Sequence, residues 1–188
     1  MRKKQGGGII VIIAIIAVIA IFFGSQYNKL VTMEADVDNS WAQVQNQVKR
    51  RADLIPNLAN TVKGYADHES ETFVDLAQAR SGVDNAQSPQ ELAEANDQLT
   101  NAVSRLNLVV EAYPELKANT NFLDLQAQLE GTENRIATER QRYNEQVTKF
   151  NKKVKRFPTN IIAGILGFHG KEYFEVSAQD QEVPEVKF

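Results

Sequence analysis

Fifteen consecutive apolar residues, IIVIIAIIAVIAIFF at positions 9–23, constrain this chain more than any other feature. Counted with the flanking glycines, Gly6 to Gly24, a helix here rises about 28 Å at ~1.5 Å per residue, close to the hydrocarbon thickness of a bilayer. Ile and Val favour strands in water. In lipid every backbone group must bond within its own segment, so a helix is predicted. The competing reading is a cleaved signal peptide. Its best cleavage sequence, Val18-Ile19-Ala20, lies inside the apolar run with Ile21, Phe22 and Phe23 still to follow, and cleavage near Gly24 and Ser25 would set a bulky Phe where a small residue is needed. An uncleaved anchor over 9–24 is therefore expected, behind a basic tail at 1–8. Arg2, Lys3 and Lys4 stand against Lys29 alone in the first turn beyond the run. The excess of positive charge places the tail in the cytoplasm and the rest of the chain outside.

The remaining residues suit one domain. With no cysteine in the chain, disulfides, thiolate metal sites, cysteine nucleophiles and lipidated cysteines are excluded. His68 and His169 have no helical pairing with each other, and surface or loop positions suit them better than metal ligation. The net charge of −3 includes three of the 21 basic residues in the first four positions, which leaves 18 basic against 24 acidic and no footprint for nucleic acid.

Beyond the anchor the periodicity is helical. Val37, Trp41, Val44, Val48, position 51, Ile55, Leu58, Val62 and Tyr65 recur at steps of four and three, a heptad seam of the coiled-coil kind. Gly64 is a stop signal, and Asp67 a cap for a second helix over 68–82 with Phe73, Leu76 and Val83 on one face. A third helix opens at "SPQE", with Ser88 as N-cap, Pro89 at N1 and Glu91 closing a capping box. Its seam is Leu92, Ala95, Leu99, Ala102, Leu106, Val109 and Tyr113, and Pro114 ends it. A fourth begins near 119–121 and carries Phe122, Leu125, Leu129, Thr132, Ile136, Glu139, Tyr143, Val147, Phe150, Val154 and Phe157 until Pro158. Four amphipathic helices with short connections predict an all-α fold, an antiparallel four-helix bundle with long first and fourth helices. The domain spans 25–174, closed by an apolar cap at 161–168. The acidic, polar tail over 175–188 is predicted to be disordered.

"YNKLV", "RRADLIPNLANTVKGYADHE", "EAYPELKANTNFLDLQAQLEGTENRIATERQRYNEQVTKFN" and "FPTNIIAGILGF" together resemble the LemA family of bacterial membrane proteins, over nearly everything from Tyr27 to Phe174. The resemblance implies a protein of the bacterial cytoplasmic membrane with a single N-terminal membrane helix, a four-helix-bundle domain and no established enzymatic activity, and it supplies no catalytic residues. Family members with the opposite orientation are described, and the Arg2-Lys3-Lys4 cluster argues against that here.

Two features interrupt the pattern. Matching the ends of the first and fourth helices (Leu30 with Phe157, Tyr65 with Phe122) gives residue numbers summing to about 187 and sets Arg51 opposite Ile136, within a turn of Glu139. An Arg51–Glu139 pair is then the simplest account of two charges in two apolar seams. Pro56 removes the bond to the Ala52 carbonyl and predicts a bend. These three residues read as a structural polar layer that fixes register. Glu130, Glu133 and Glu139 lie near the seam, but no histidine follows a glutamate at the spacing of a di-iron bundle, so neither metal nor cofactor is expected. No nucleophile–base–orienter trio is visible either.

The second feature is the end of the fourth helix. Lys149, Lys152, Lys153, Lys155 and Arg156 complement its dipole and would return to the membrane end of the first helix. Ile161, Ile162, Ile165, Leu166 and Phe168 follow in a stretch too short to span a bilayer, able to cap the bundle or to face lipid. The leading functional expectation is a non-enzymatic, membrane-anchored module for protein interaction or envelope organisation. The alternative is a protein that binds or remodels lipid through this basic and apolar end. Expected partners are the lipid bilayer and membrane or envelope proteins, with homo-oligomers open.

Overall fold

The structure is a computed structural model and describes residues 5–66 and 68–175. All regular structure among them is helical: α1 (Gln5–Lys63), α2 (Ser70–Asn85), α3 (Pro89–Val110), α4 (Pro114–Lys117), α5 (Thr120–Lys155) and α6 (Thr159–Leu166). The apolar run and the first seam form one uninterrupted helix, with Pro56 inside it. Asp67 and the tail from 176 onward lie outside the described residues.

The helices form two compact units. The first comprises Met1–Asp38 and Glu145–Lys171, the second Asn39–Asn144 and Glu172–Phe188. The first is organised around buried Leu30 and Val37 of α1, Val147 and Phe150 of α5, and Ile162, Ala163 and Phe168 in and after α6. Each of these side chains apart from Ala163 contributes about 1.5–3 kcal/mol on full burial. α6 ends where Gly167 adopts the left-handed conformation at φ 79° and the Phe168 amide bonds back to the Ala163 carbonyl at 2.9 Å. That φ suits glycine because it has no Cβ.

The second unit holds the seams. Val44, Val48, Ile55, Leu58 and Val62 of α1 are buried, as are Leu92, Leu99, Leu106 and Val110 of α3 and Phe122, Leu129, Ile136 and Tyr143 of α5. The α3 seam closes on Val110 in place of the expected Val109. α3 starts as predicted, with Ser88 Oγ accepting from the Glu91 amide at 3.1 Å. The reciprocal arm differs: Glu91 Oε2 accepts from the amide of Gln87, one residue before the cap, at 2.8 Å. Helix α2 does not stop at Gly82. It continues to Asn85, and Gly82 sits at the α2–α3 contact, where an added Cβ would come within 3.6 Å of the Ala95 Cβ. Pro114 ends nothing by itself, because α3 is already over at Val110 and Pro114 opens the short α4.

Inside this second unit α1 and α5 run antiparallel. Trp41 meets Tyr143 with ring centroids 5.3 Å apart, Arg51 pairs with Glu133, and the Asn119 side-chain amide donates to Tyr65 Oη at 3.0 Å. In all three pairs the residue numbers sum to 184. The offset expected from matching helix ends was 187, so the true register is shifted by three residues, nearly one turn. The reason is at the ends. Tyr65 lies beyond α1 and pairs with Asn119, which precedes α5 and caps it by accepting from the Phe122 amide at 3.1 Å.

Candidate functional site

The polar layer of the second unit is built around Arg51, which is 4% exposed. Its Nη1 donates to Asn96 Oδ1 at 3.0 Å and to Thr100 Oγ1 at 2.9 Å, both on α3, and forms an ion pair with Glu133 on α5. Thr100 passes its own proton to the Asn96 carbonyl at 3.0 Å, so its hydroxyl is oriented to accept from the guanidinium. Arg51 Nε is buried without a hydrogen-bond partner. Burial lowers the guanidinium pKa, while the charge and hydrogen bond of Glu133 and the charge of Asp97 pull the other way. An arginine so placed remains cationic at neutral pH.

This corrects the expected Arg51–Glu139 pair. Glu139 accepts instead from Arg142 of its own helix at 2.9 Å, and the three-residue shift in register sets Glu133, in place of Ile136, opposite Arg51 and leaves Glu139 nearly two turns away. Asn96 and Thr100 escaped the sequence reading. The available signal was Asn96 itself, a polar residue beside Ala95 and Leu99 on the buried face of a helix. A cleft of about 350 Å³ adjoins Arg51 and is lined by Leu58, Val103, Asn107 and Leu129 among others. Its guanidinium is already committed to three protein partners, which makes the layer a fastening between helices. Among the described residues no group of three or more His, Cys, Asp or Glu is placed to hold a metal ion.

A second fastening also went unread. In the second unit, Asn144 uses both ends of its amide on one backbone residue: Oδ1 accepts from the Phe174 amide and Nδ2 donates to the Phe174 carbonyl, each at 3.0 Å. Tyr143 Oη donates to the Glu172 carbonyl at 2.8 Å, and Phe174 is buried with its ring 6.2 Å from that of Trp41. The same device occurs in the first unit, where Asn151 clasps the Lys171 backbone at 2.8 and 2.9 Å and Lys171 Nζ reaches Glu34 at 2.7 Å. Asparagine is a poor helix former, but α5 holds four of them, Asn121, Asn134, Asn144 and Asn151, and composition alone does not single out the two that clasp backbone.

The first unit also carries the basic and apolar end. Residues 8–25 of α1 are all exposed, and this helix is long and apolar enough to cross a membrane. Just beyond the run, Thr159 Oγ1 of α6 donates to Gln26 Oε1 at 3.5 Å, and the Phe168 ring stands edge-on to Tyr27 at 6.1 Å. Lys149, Lys152, Lys155 and Arg156 are exposed and Lys153 is half-buried. Burial, then the nearby charges of Lys29 and Arg156, lower the pKa of Lys153. Ile161, Ile165 and Leu166 face outward, but Ile162 and Phe168 do not face lipid. They are 2% and 9% exposed and belong to the unit's core, because α6 turns one side onto α1. Phe157, expected on the seam, is 74% exposed since it lies past the end of α5.

Comparison with known proteins agrees with this architecture. The LemA family model matches residues 40–188. Protein LemA of Metamycoplasma hominis is 28% identical over 166 residues, covering 86% of this chain and 74% of the relative. Magnetosome protein MamQ 2 of Paramagnetospirillum magneticum is 26% identical, with 89% of this chain and 71% of the relative covered. Magnetosome protein MamQ of Magnetospirillum gryphiswaldense is 24% identical, with 92% and 75% covered. Among the described residues all regular structure is helical and one apolar helix is long enough to span a bilayer, which with these matches is consistent with a single-pass membrane protein, and the chain belongs to the LemA family.

Proposed function

We propose that this is a non-enzymatic, membrane-anchored helical module that works by binding other envelope proteins. The observation that carries the reading is α1, in which the exposed apolar run continues without a break into a helix whose next turns bury Leu30 and Val37. A chain built this way holds a folded surface at a fixed distance from a bilayer. The polar interior supports the same reading, since the buried charge is tied to Asn96, Thr100 and Glu133 and is not poised toward a reactant. Relatives named as magnetosome proteins fit a role within a membrane compartment. In-cell crosslinking followed by purification of the full chain should recover a small, reproducible set of membrane or envelope proteins. Recovery of none beyond what an unrelated anchored domain collects would sink the proposal.

Orientation follows from charge. The positive charges of Arg2, Lys3 and Lys4 support a topology with residues 1–8 in the cytoplasm and the helical units outside. Protease admitted to the outer face of the cytoplasmic membrane should then digest the helical units and spare a tag on the N-terminal tail. The reverse pattern, with the units protected and the tag lost, would invert the topology.

A further inference from the structure

Helix α6, TNIIAGIL, carries no charged residue, and Asn160 is its one exposed polar side chain. Thr159, Ile162 and Ala163 are buried on the inner side. Outward, at positions where a water-facing helix would carry charges, stand Ile161 at 51% exposed, Ile165 at 73% and Leu166 at 48%, with Phe157 at 74% just before the helix. Ile161 and Ile165 are four residues apart and share one face. A helix with no charge and with apolar side chains on both its inner and its outer side belongs in a core or in lipid. This one is half in a core, and its other half is uncovered.

The contacts of α6 indicate what covers it. Gln26 and Tyr27, which hold Thr159 and Phe168, lie within one turn of Gly24 at the end of the apolar run. At ~1.5 Å per residue that places them about 3–5 Å beyond the hydrocarbon edge, inside the headgroup layer. Tyr27 is partly exposed, as residues of an aromatic membrane belt are. Exposed Lys155 and Arg156 directly precede the α6 turn, and an anionic headgroup complements them.

We infer that α6 is a second membrane contact: Phe157, Ile161, Ile165 and Leu166 enter the leaflet that residues 9–23 have just crossed, while Lys155 and Arg156 engage anionic headgroups. This rests on those residues spanning the bilayer. The burial expected is that of an interfacial helix, roughly 5–10 Å into the headgroup and acyl boundary. Ile162 and Phe168 remain packed on α1, so the element docks in protein and lipid at once.

The chain has no cysteine, so single-cysteine variants of the full-length protein can each carry one environment-sensitive fluorophore. Labels at I161C and I165C would be compared with I15C inside the apolar run and D36C on the exposed side of α1 farther along. Each protein is reconstituted into phosphatidylcholine vesicles, with and without phosphatidylglycerol, containing lipid nitroxides as quenchers. Quenching at 161 and 165 should exceed that at 36 several-fold and approach that at 15, with matching protection from aqueous iodide. K155Q/R156Q should remove any increase that phosphatidylglycerol produces. Labels at 161 and 165 as water-exposed as at 36, with 15 quenched, would overturn the second contact and leave the anchor standing. Protection from iodide without quenching by lipid would also overturn it, because protein would then be the cover. An unquenched label at 15 would remove the anchor, and α6 as a membrane element with it. An absence of dependence on phosphatidylglycerol would overturn the headgroup part.

Discussion

Glu133→Leu is expected to destabilise the protein by about 3 kcal/mol, because it leaves Arg51 charged and buried with only neutral partners. The value sits at the low end for broken buried pairs since the Glu133 side chain is 45% exposed and water reaches it. Arg51→Met should cost less, about 1–3 kcal/mol, by stranding the acceptor of Asn96 while Glu133 remains partly hydrated. Replacing both should lose clearly less than the two single losses combined, with a coupling of about 1–3 kcal/mol, because the apolar pair also removes the unpartnered Nε of Arg51. Glu139→Leu should cost clearly less than Glu133→Leu, because Glu139, although only 17% exposed, pairs with the exposed Arg142 of its own helix and a pair at that spacing contributes about 0.2–0.5 kcal/mol. Unfolding of the detergent-solubilised full chain, followed through the single tryptophan, Trp41, measures all four. Strictly additive losses at 51 and 133, or a loss at 139 equal to that at 133, would show that this pair does not hold α1 to α5.

Phe174→Ala should cost about 3–5 kcal/mol, the range for emptying a buried aromatic site. The segment around it has no helix or strand of its own and is held to α5 by Asn144, Tyr143 and the ring of Phe174. Asn144→Leu removes two bonds to the Phe174 backbone and should cost about 2 kcal/mol, at ~1 kcal/mol for each. The two losses should be less than additive, since either change frees the same three residues. Because Phe174 lies against Trp41, Phe174→Ala should also shift the tryptophan emission to longer wavelength in the folded protein. A loss under about 1 kcal/mol with unchanged emission would mean that the segment is not part of the folded unit.

Much of the architecture could be read because it depends on periodicity. The apolar run, three seams and the Ser88 cap are local patterns, and each produced its helix. Register is not local. Aligning two helices by their ends presumes flush ends, and here Tyr65 and Asn119 sit outside their helices. That was enough to exchange Glu133 for Glu139. The segment at 172–174 was illegible for a related reason. It is recognised through its backbone, which has no sequence signature, and the readers of that backbone are two asparagines that resemble any other polar position on a long helix. Around α6 composition said apolar, but only burial could separate Ile162 and Phe168, which pack inward, from Phe157, Ile161 and Ile165, which do not.

Leu30 and Val37 share one helix with residues 9–23, and between them the helix runs unbroken through the single Gly24 with no proline. Such a helix is stiff in torsion, so the azimuth of the apolar segment in the plane of the bilayer and the azimuth of the Leu30–Val37 face are one variable. Each residue along the axis advances that angle by about 100°. A neighbour that grips one side of the membrane segment therefore also dictates which side of the seam below it faces, in the manner of a key turned from its bow.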